Sequence, residues 1–127
     1  MNVELLMNIR VIIVDDHRVV REGIEMFLKL DNQIEIVAVA VNGLEGVKKT
    51  RELKPDVVLM DLMMPVMDGY EATAIIKHEM PDVKVFVLTS LSGDKNATTR
   101  ALKAGADKFL IKGTDLERLN EIIKDAL

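Results

Sequence analysis

Five short apolar runs, Ile9–Val14, Ile34–Val41, Val57–Met60, Val83–Leu88 and Phe109–Ile111, alternate with stretches whose apolar residues return at helical spacing. Val20, Ile24, Phe27 and Leu28 form one helical stripe, and Leu116, Leu119, Ile123 and Ala126 form another. This alternation constrains the fold more than any other feature. A helix between consecutive strands rules out the tight hairpin of antiparallel neighbours, so the strands must pair in parallel through right-handed crossovers. The predicted class is α/β: a doubly wound (βα)5 sandwich on a five-stranded parallel sheet. Glu35 interrupts the second run by alternation, as expected of a strand at the sheet edge. Asn42 is placed to cap the second helix, and Gly105 stands where a helix C′ glycine belongs. Thr114-Asp115-Leu116-Glu117 matches a capping box and predicts the start of the last helix.

With 127 residues the chain reads as a single domain, 1–127, able to bury a core without covalent staples. Residues 1–6 read as a loose N-terminal extension ahead of Met7-Asn8-Ile9. The absence of cysteine excludes a disulfide framework and a thiolate metal site. Ile36–Val41, the longest uninterrupted apolar run, is far too short to cross a bilayer, and no signal-peptide pattern opens the chain. A net charge of −4 and 3% aromatic residues argue against direct nucleic-acid binding, which needs a basic face or a stacking platform. The expectation is a soluble, acidic, cytoplasmic domain with no membrane attachment.

Two buried strands nevertheless end in carboxylates: Asp15 and Asp16 follow the first, and Asp61 follows the third. In an open parallel sheet the strand C-termini share one edge, where ligands bind near the switch point of strand order. Thr89 and Ser90 after the fourth run and Lys112 after the fifth belong to the same edge, whereas the edge run ends in Ala40-Val41-Asn42 without a charge. Two like charges about 4 Å apart at an effective dielectric of ~20 repel by roughly 4 kcal/mol. One lysine does not compensate three clustered carboxylates, so a divalent cation is predicted, and an all-oxygen site suits Mg²⁺ or Mn²⁺ better than Zn²⁺. A metal, a lysine and a hydroxyl converging on a carboxylate are the parts that handle a phosphoryl group.

Asp15-Asp16, Asp61 ahead of Met64-Pro65 and Asp68-Gly69, Thr89 and Lys112 together resemble the receiver domain of two-component response regulators. The match covers nearly the whole chain. VDDHRVVREGI, with Lys112-Gly113, is most similar to the NarL/FixJ (LuxR-type) branch, whose members usually drive transcription. The resemblance implies a CheY-like, flavodoxin-like sheet of order 2-1-3-4-5. It implies Asp61 as the acceptor of a phosphoryl group from a sensor histidine kinase. Asp16 then binds Mg²⁺ directly, Asp15 binds through water or orients the shell, and Asp61 and the Met63 backbone carbonyl complete the ligand set; Mn²⁺ is the alternative ion. Lys112 pairs with Asp61 and then with the phosphoryl oxygens, Thr89 hydrogen-bonds the phosphoryl group, and Phe109 takes the aromatic switch position. Met63 and Leu91 flank the attacking water's route, which implies slow self-dephosphorylation. His17 and His78 read as surface or loop residues without a metal-ligand partner, and Met60, Met63, Met64 and Met67 as packing residues.

Rival functions meet specific obstacles. A phosphatase of the haloacid dehalogenase type needs an aspartate where Met63 stands. A flavin module needs a hydroxyl- and glycine-rich loop where Asp-Asp-His-Arg follows the first strand. An interaction domain with a degenerate site would not keep all five key residues. The expected output is transcription through a DNA-binding domain absent from this chain, with a phosphorylation-dependent homodimer as partner. The alternative is a stand-alone receiver acting in a phosphorelay or by protein–protein interaction. Neither makes the domain a turnover enzyme on an external substrate.

Overall fold

The computed structural model describes residues 8–90 and 95–127; the expected extension over 1–6 and Leu91 lie outside the described residues. The elements run β1 (Ile9–Val14), α1 (Arg18–Lys29), β2 (Ile34–Ala40), α2 (Gly43–Leu53), β3 (Val57–Met60), α3 (Gly69–Glu79), β4 (Lys84–Thr89), α4 (Lys95–Lys103) and β5 (Lys108–Ile111). All neighbouring strands are parallel, in the order β2-β1-β3-β4-β5. Alternation along each strand sends side chains to two separate cores. Val11, Ile13, Leu59, Phe86 and Leu88 pack under Ile24 and Leu28 of α1 and the C-terminal Leu119 and Ile123. Ile12, Val14, Val58, Met60 and Val85 pack on the opposite face under Val47 of α2 and Ala72 and Ile76 of α3. Glu35 is exposed on edge strand β2.

The helix ends follow local chemistry. Asn42 accepts the Glu45 amide at 2.8 Å and caps α2. Gly105, at φ 104°, ends α4: its amide reaches Leu102 O at 3.0 Å and the Ala106 amide reaches Ala101 O at 3.0 Å, the two bonds of a Schellman turn. The capping box predicted at Thr114 does not form. Strand β5 runs directly into a helical turn, α5 (Lys112–Asp115), followed by a 3₁₀ turn over Leu116–Arg118 and α6 (Leu119–Asp125). Asp115 Oδ2 reaches back to the Ile111 amide at 2.8 Å, so that carboxylate serves a turn begun before Thr114.

The loop after β3 is tightly built. Asp68 accepts the Glu71 amide at 2.9 Å, and the Gly69 amide bonds Leu62 O at 2.8 Å. A Cβ on Gly69 would stand 2.0 Å from the Asp61 carbonyl oxygen, so only glycine lets α3 begin this close to the end of β3. Val66 sits at φ 70°, and the Met67 amide bonds Pro65 O across it at 2.7 Å. This is a three-residue turn of the strained hand, occupied by a β-branched residue. The Val66 side chain is 75% exposed, so no packing offsets the strain. Left-handed backbone costs an L-residue roughly 1–2 kcal/mol, and glycine returns part of that gain as unfolded-state entropy. Val66→Gly is therefore expected to raise unfolding stability in urea by about 0.5–1 kcal/mol; a drop in the midpoint would contradict the strain.

Candidate functional site

The sheet ladder continues one residue past β1 and β3: the Asp15 amide bonds Ala40 O at 3.0 Å, and the Asp61 amide bonds Val14 O at 2.9 Å. The two aspartates therefore stand side by side at the C-terminal edge. Thr89 pairs in register with Ile111, which puts Lys112 beside it. Asp15, Asp61 and Thr89 are all buried. A cavity of about 220 Å³ opens above them, lined by His17, Val20, Asp61, Met63, Thr89, Ser90 and Lys112.

Lys112 Nζ lies 2.6 Å from Asp15 Oδ2 and 3.5 Å from Asp61 Oδ1. The ammonium thus reaches both carboxylates, but its nearer partner is Asp15, not the Asp61 expected from the sequence. The His17 amide holds Asp15 Oδ1 at 2.8 Å, which leaves Oδ2 turned toward the lysine. Burial, reinforced by the neighbouring Asp15 charge, pushes the Asp61 carboxyl above the usual carboxylate range, and Lys112 only partly opposes the shift. Asp61 is consequently a carboxylate short of counter-charge.

Asp16 points the same way. Its buried Oδ1 lacks a hydrogen bond of good geometry, and the nitrogen beside it is His17 Nδ1 at 3.0 Å. Asp15, Asp16, His17 and Asp61 each offer one ligand atom, and these atoms all lie within 4.8 Å of one another. Three carboxylates set against a single ammonium, Lys112, make a donor set and a charge deficit that fit a divalent cation. The reading of His17 as lacking a ligand partner is corrected here. His17 Nδ1 lies 3.0 Å from Asp16 Oδ1, 3.3 Å from Asp15 Oδ1 and 4.0 Å from Asp61 Oδ2. Position alone could have flagged it, as a third polar residue directly after Asp15 and Asp16 at the end of β1. His78 is exposed on α3.

The remaining candidates lie around this centre. Phe109 is half-buried opposite Val87, two residues before Thr89 in the β4–β5 register, and packs on the cluster of Leu62, Tyr70, Val87 and the α4 residues Ala97 and Ala101. Arg100 of α4 stacks 3.8 Å over the Tyr70 ring, tying α4 to α3. Met63 is 62% exposed at the cavity rim, whereas Met64 and Met67 pack on the α2/α3 layer.

Comparison with known proteins locates this architecture. The profile of the response regulator receiver domain family matches residues 11–124. The chain is 44% identical over 118 residues to response regulator protein VraR of Staphylococcus aureus (strain Mu3), covering 93% of this chain and 56% of that protein. Among solved structures, the receiver domain of the response regulator NarL from Mycobacterium tuberculosis superposes with a TM-score of 0.87 at 28% identity, covering 94% of this chain and 95% of that one. A LuxR-family DNA-binding response regulator from Staphylococcus aureus gives 0.86 at 30% identity, covering 92% and 97%. The chain spans about half the length of the curated relatives it matches. No helix among the described residues is long and apolar enough to cross a membrane.

Proposed function

Since this chain belongs to the response regulator receiver domain family, we propose that it is a single receiver domain working as a phosphorylation-controlled switch, with Asp61 as phosphoacceptor. The observation that carries this reading is the buried Asp61 carboxylate, 3.5 Å from Lys112 and open to a cavity shared with Thr89. An Asp61 oxygen forms the new P–O bond while the donor's P–N bond breaks, and the departing imidazole of the sensor histidine kinase keeps the electron pair. Lys112 moves its hydrogen bonds from the carboxylates to the phosphoryl oxygens, and the Thr89 hydroxyl donates to the same group. Asp15, Asp16, Asp61 and the Met63 carbonyl would hold Mg²⁺, or Mn²⁺, which when bound neutralises charge on the transferring phosphoryl group.

The engagement of Thr89 at the end of β4 acts on the adjoining cluster, in which Phe109 packs with Val87 of β4 and with Ala97 and Ala101 of α4. That packed unit is the two-state element that phosphorylation biases, exposing or hiding a surface for homodimerisation or output. In the cytoplasm, output would be control of transcription through a DNA-binding segment, since this chain is acidic, with a net charge of −4. A stand-alone phosphorelay receiver is the alternative. The domain acts on its own phosphoryl group and turns over no external substrate.

Acetyl phosphate with Mg²⁺ should add one phosphoryl group to the chain, read by intact mass; no gain with Mg²⁺ present would refute the proposal. Asp16→Asn should weaken Mg²⁺ binding in calorimetry at least about tenfold. In chelator it should not lower the melting temperature, because it removes one of three clustered carboxylates.

A further inference from the structure

We propose that Met63 is a peroxide-sensitive modification site, and that its conversion to the sulfoxide shortens the lifetime of a phosphoryl group on Asp61. The proposal rests on the reading of Asp61 as phosphoacceptor. The chain has no cysteine, so peroxide oxidation of sulfur falls on its eight methionines. Exposure then selects among them. Among the described residues, Met26 is 71% exposed and Met63 62%, whereas Met60 is fully buried and Met64, Met67 and Met80 pack on the α2/α3 layer. Met26 lines a separate apolar pocket with Gly23, Phe27 and Leu30 of α1. Met63 lines the cavity shared by Asp61, Thr89 and Lys112. One of the two accessible thioethers therefore stands at the phosphoryl site.

The backbone keeps it there. Leu62 is fully buried, and its carbonyl accepts the Gly69 amide at 2.8 Å. Met64 on the other side packs on the α2/α3 layer. Anchored at both neighbours, Met63 cannot withdraw into a core. A peroxide transfers one oxygen atom to the sulfur and departs as water, and no other bond of the chain changes. With Val20, Met63 supplies the apolar part of a cavity lining that is otherwise polar. A thioether is a weak hydrogen-bond acceptor and holds no water over Asp61, whereas a sulfoxide oxygen is a strong one. A water held there stands beside the phosphoryl group. Its oxygen forms the new P–O bond, the bond from phosphorus to Asp61 breaks with its electron pair returning to the carboxylate, and the water's proton passes to solvent. Peroxide thus returns the domain to its unphosphorylated state.

The test treats the wild-type chain, Met63→Leu and Met26→Leu with hydrogen peroxide, or leaves them untreated. Each is then phosphorylated with acetyl phosphate and Mg²⁺, and loss of the phosphoryl group after removal of the donor is followed by intact mass. Tandem mass spectrometry locates the added oxygen. Met26 and Met63 should be oxidised ahead of Met60, Met64, Met67 and Met80. Oxidation should shorten the phosphoryl half-life about fivefold in the wild type and in Met26→Leu, the effect of one added hydrogen bond to the attacking water. Met63→Leu should keep its own half-life through the treatment, and methionine sulfoxide reductase with a dithiol should restore the wild-type value. An unchanged half-life once Met63 carries the oxygen, a shortening that persists in Met63→Leu, or oxidation of the buried methionines ahead of Met63 overturns the proposal and leaves Asp61 as acceptor. If the untreated wild-type chain takes up no phosphoryl group, the receiver reading itself is refuted and the role of Met63 falls with it.

Discussion

Asp61→Asn is expected to remove phosphoryl incorporation from acetyl phosphate, lowering the yield at least about a thousandfold, because an amide offers no anionic oxygen to attack phosphorus. Intact-mass measurement of the variant with Mg²⁺ present reads this directly, and undiminished incorporation would move the acceptor elsewhere. The same substitution should make the fold more stable. Asp61 is buried beside Asp15, and its carboxyl is held above the usual range by burial first and by the Asp15 charge second. The folded state therefore binds a proton more readily than the unfolded chain. Stability contributed by that proton is present at low pH and is lost as pH rises from the ordinary carboxylate value through the raised one. At neutral pH the ionised Asp61 is a net cost, and Lys112 keeps its nearer partner, Asp15, when Asp61 is neutralised. Urea unfolding at pH 7 should favour Asp61→Asn by about 1 kcal/mol, with a flatter stability profile in the acid range. Equal stability at pH 7 would mean that the carboxylate is better compensated than its surroundings indicate.

Lys112→Met should produce the opposite result. The Lys112 side chain is 13% exposed, and its two partners, Asp15 and Asp61, are 3% and 7% exposed. Removing one partner of a buried pair leaves the other charge uncompensated, a loss of several kcal/mol when the site is closed. The cavity above Asp61 admits solvent and moderates this, so a loss of about 2–4 kcal/mol is expected in chelator. Mg²⁺ should restore more stability to the variant than to the wild type, because the cation and the ammonium compensate the same carboxylates. Equal Mg²⁺ stabilisation of the two chains would separate the lysine from the cation cluster. Methionine keeps the aliphatic length of lysine, so lost packing contributes little.

The central chemistry was legible in the sequence because a parallel sheet converts residues far apart in the chain into neighbours by a simple rule. Each apolar run carries its own period, each ends at the same edge, and the residue after it must lie there. Strands β1 and β3 fall on the expected residues, and the polar residues after β1, β3, β4 and β5 meet at that edge. Strand β4 sits one residue later than its apolar run, since the Val83 amide closes a turn onto Met80 O and Thr89 joins the ladder opposite Ile111. The caps at Asn42 and Gly105 were equally local, each depending on residues within one helical turn.

Other features came from contacts that no local pattern encodes. Lys112 prefers Asp15, 97 residues away, because a backbone amide has already turned that carboxylate toward it. The imidazole of His17 joins the cluster because β3 brings Asp61 Oδ2 within 4.0 Å of it. Periodicity and burial act along a segment and can be read from it, and they determined the strands, the layers and the edge that gathers the acids. The choice among neighbouring charges depends on separations of an ångström or less between side chains from different segments, and only the assembled fold decided those.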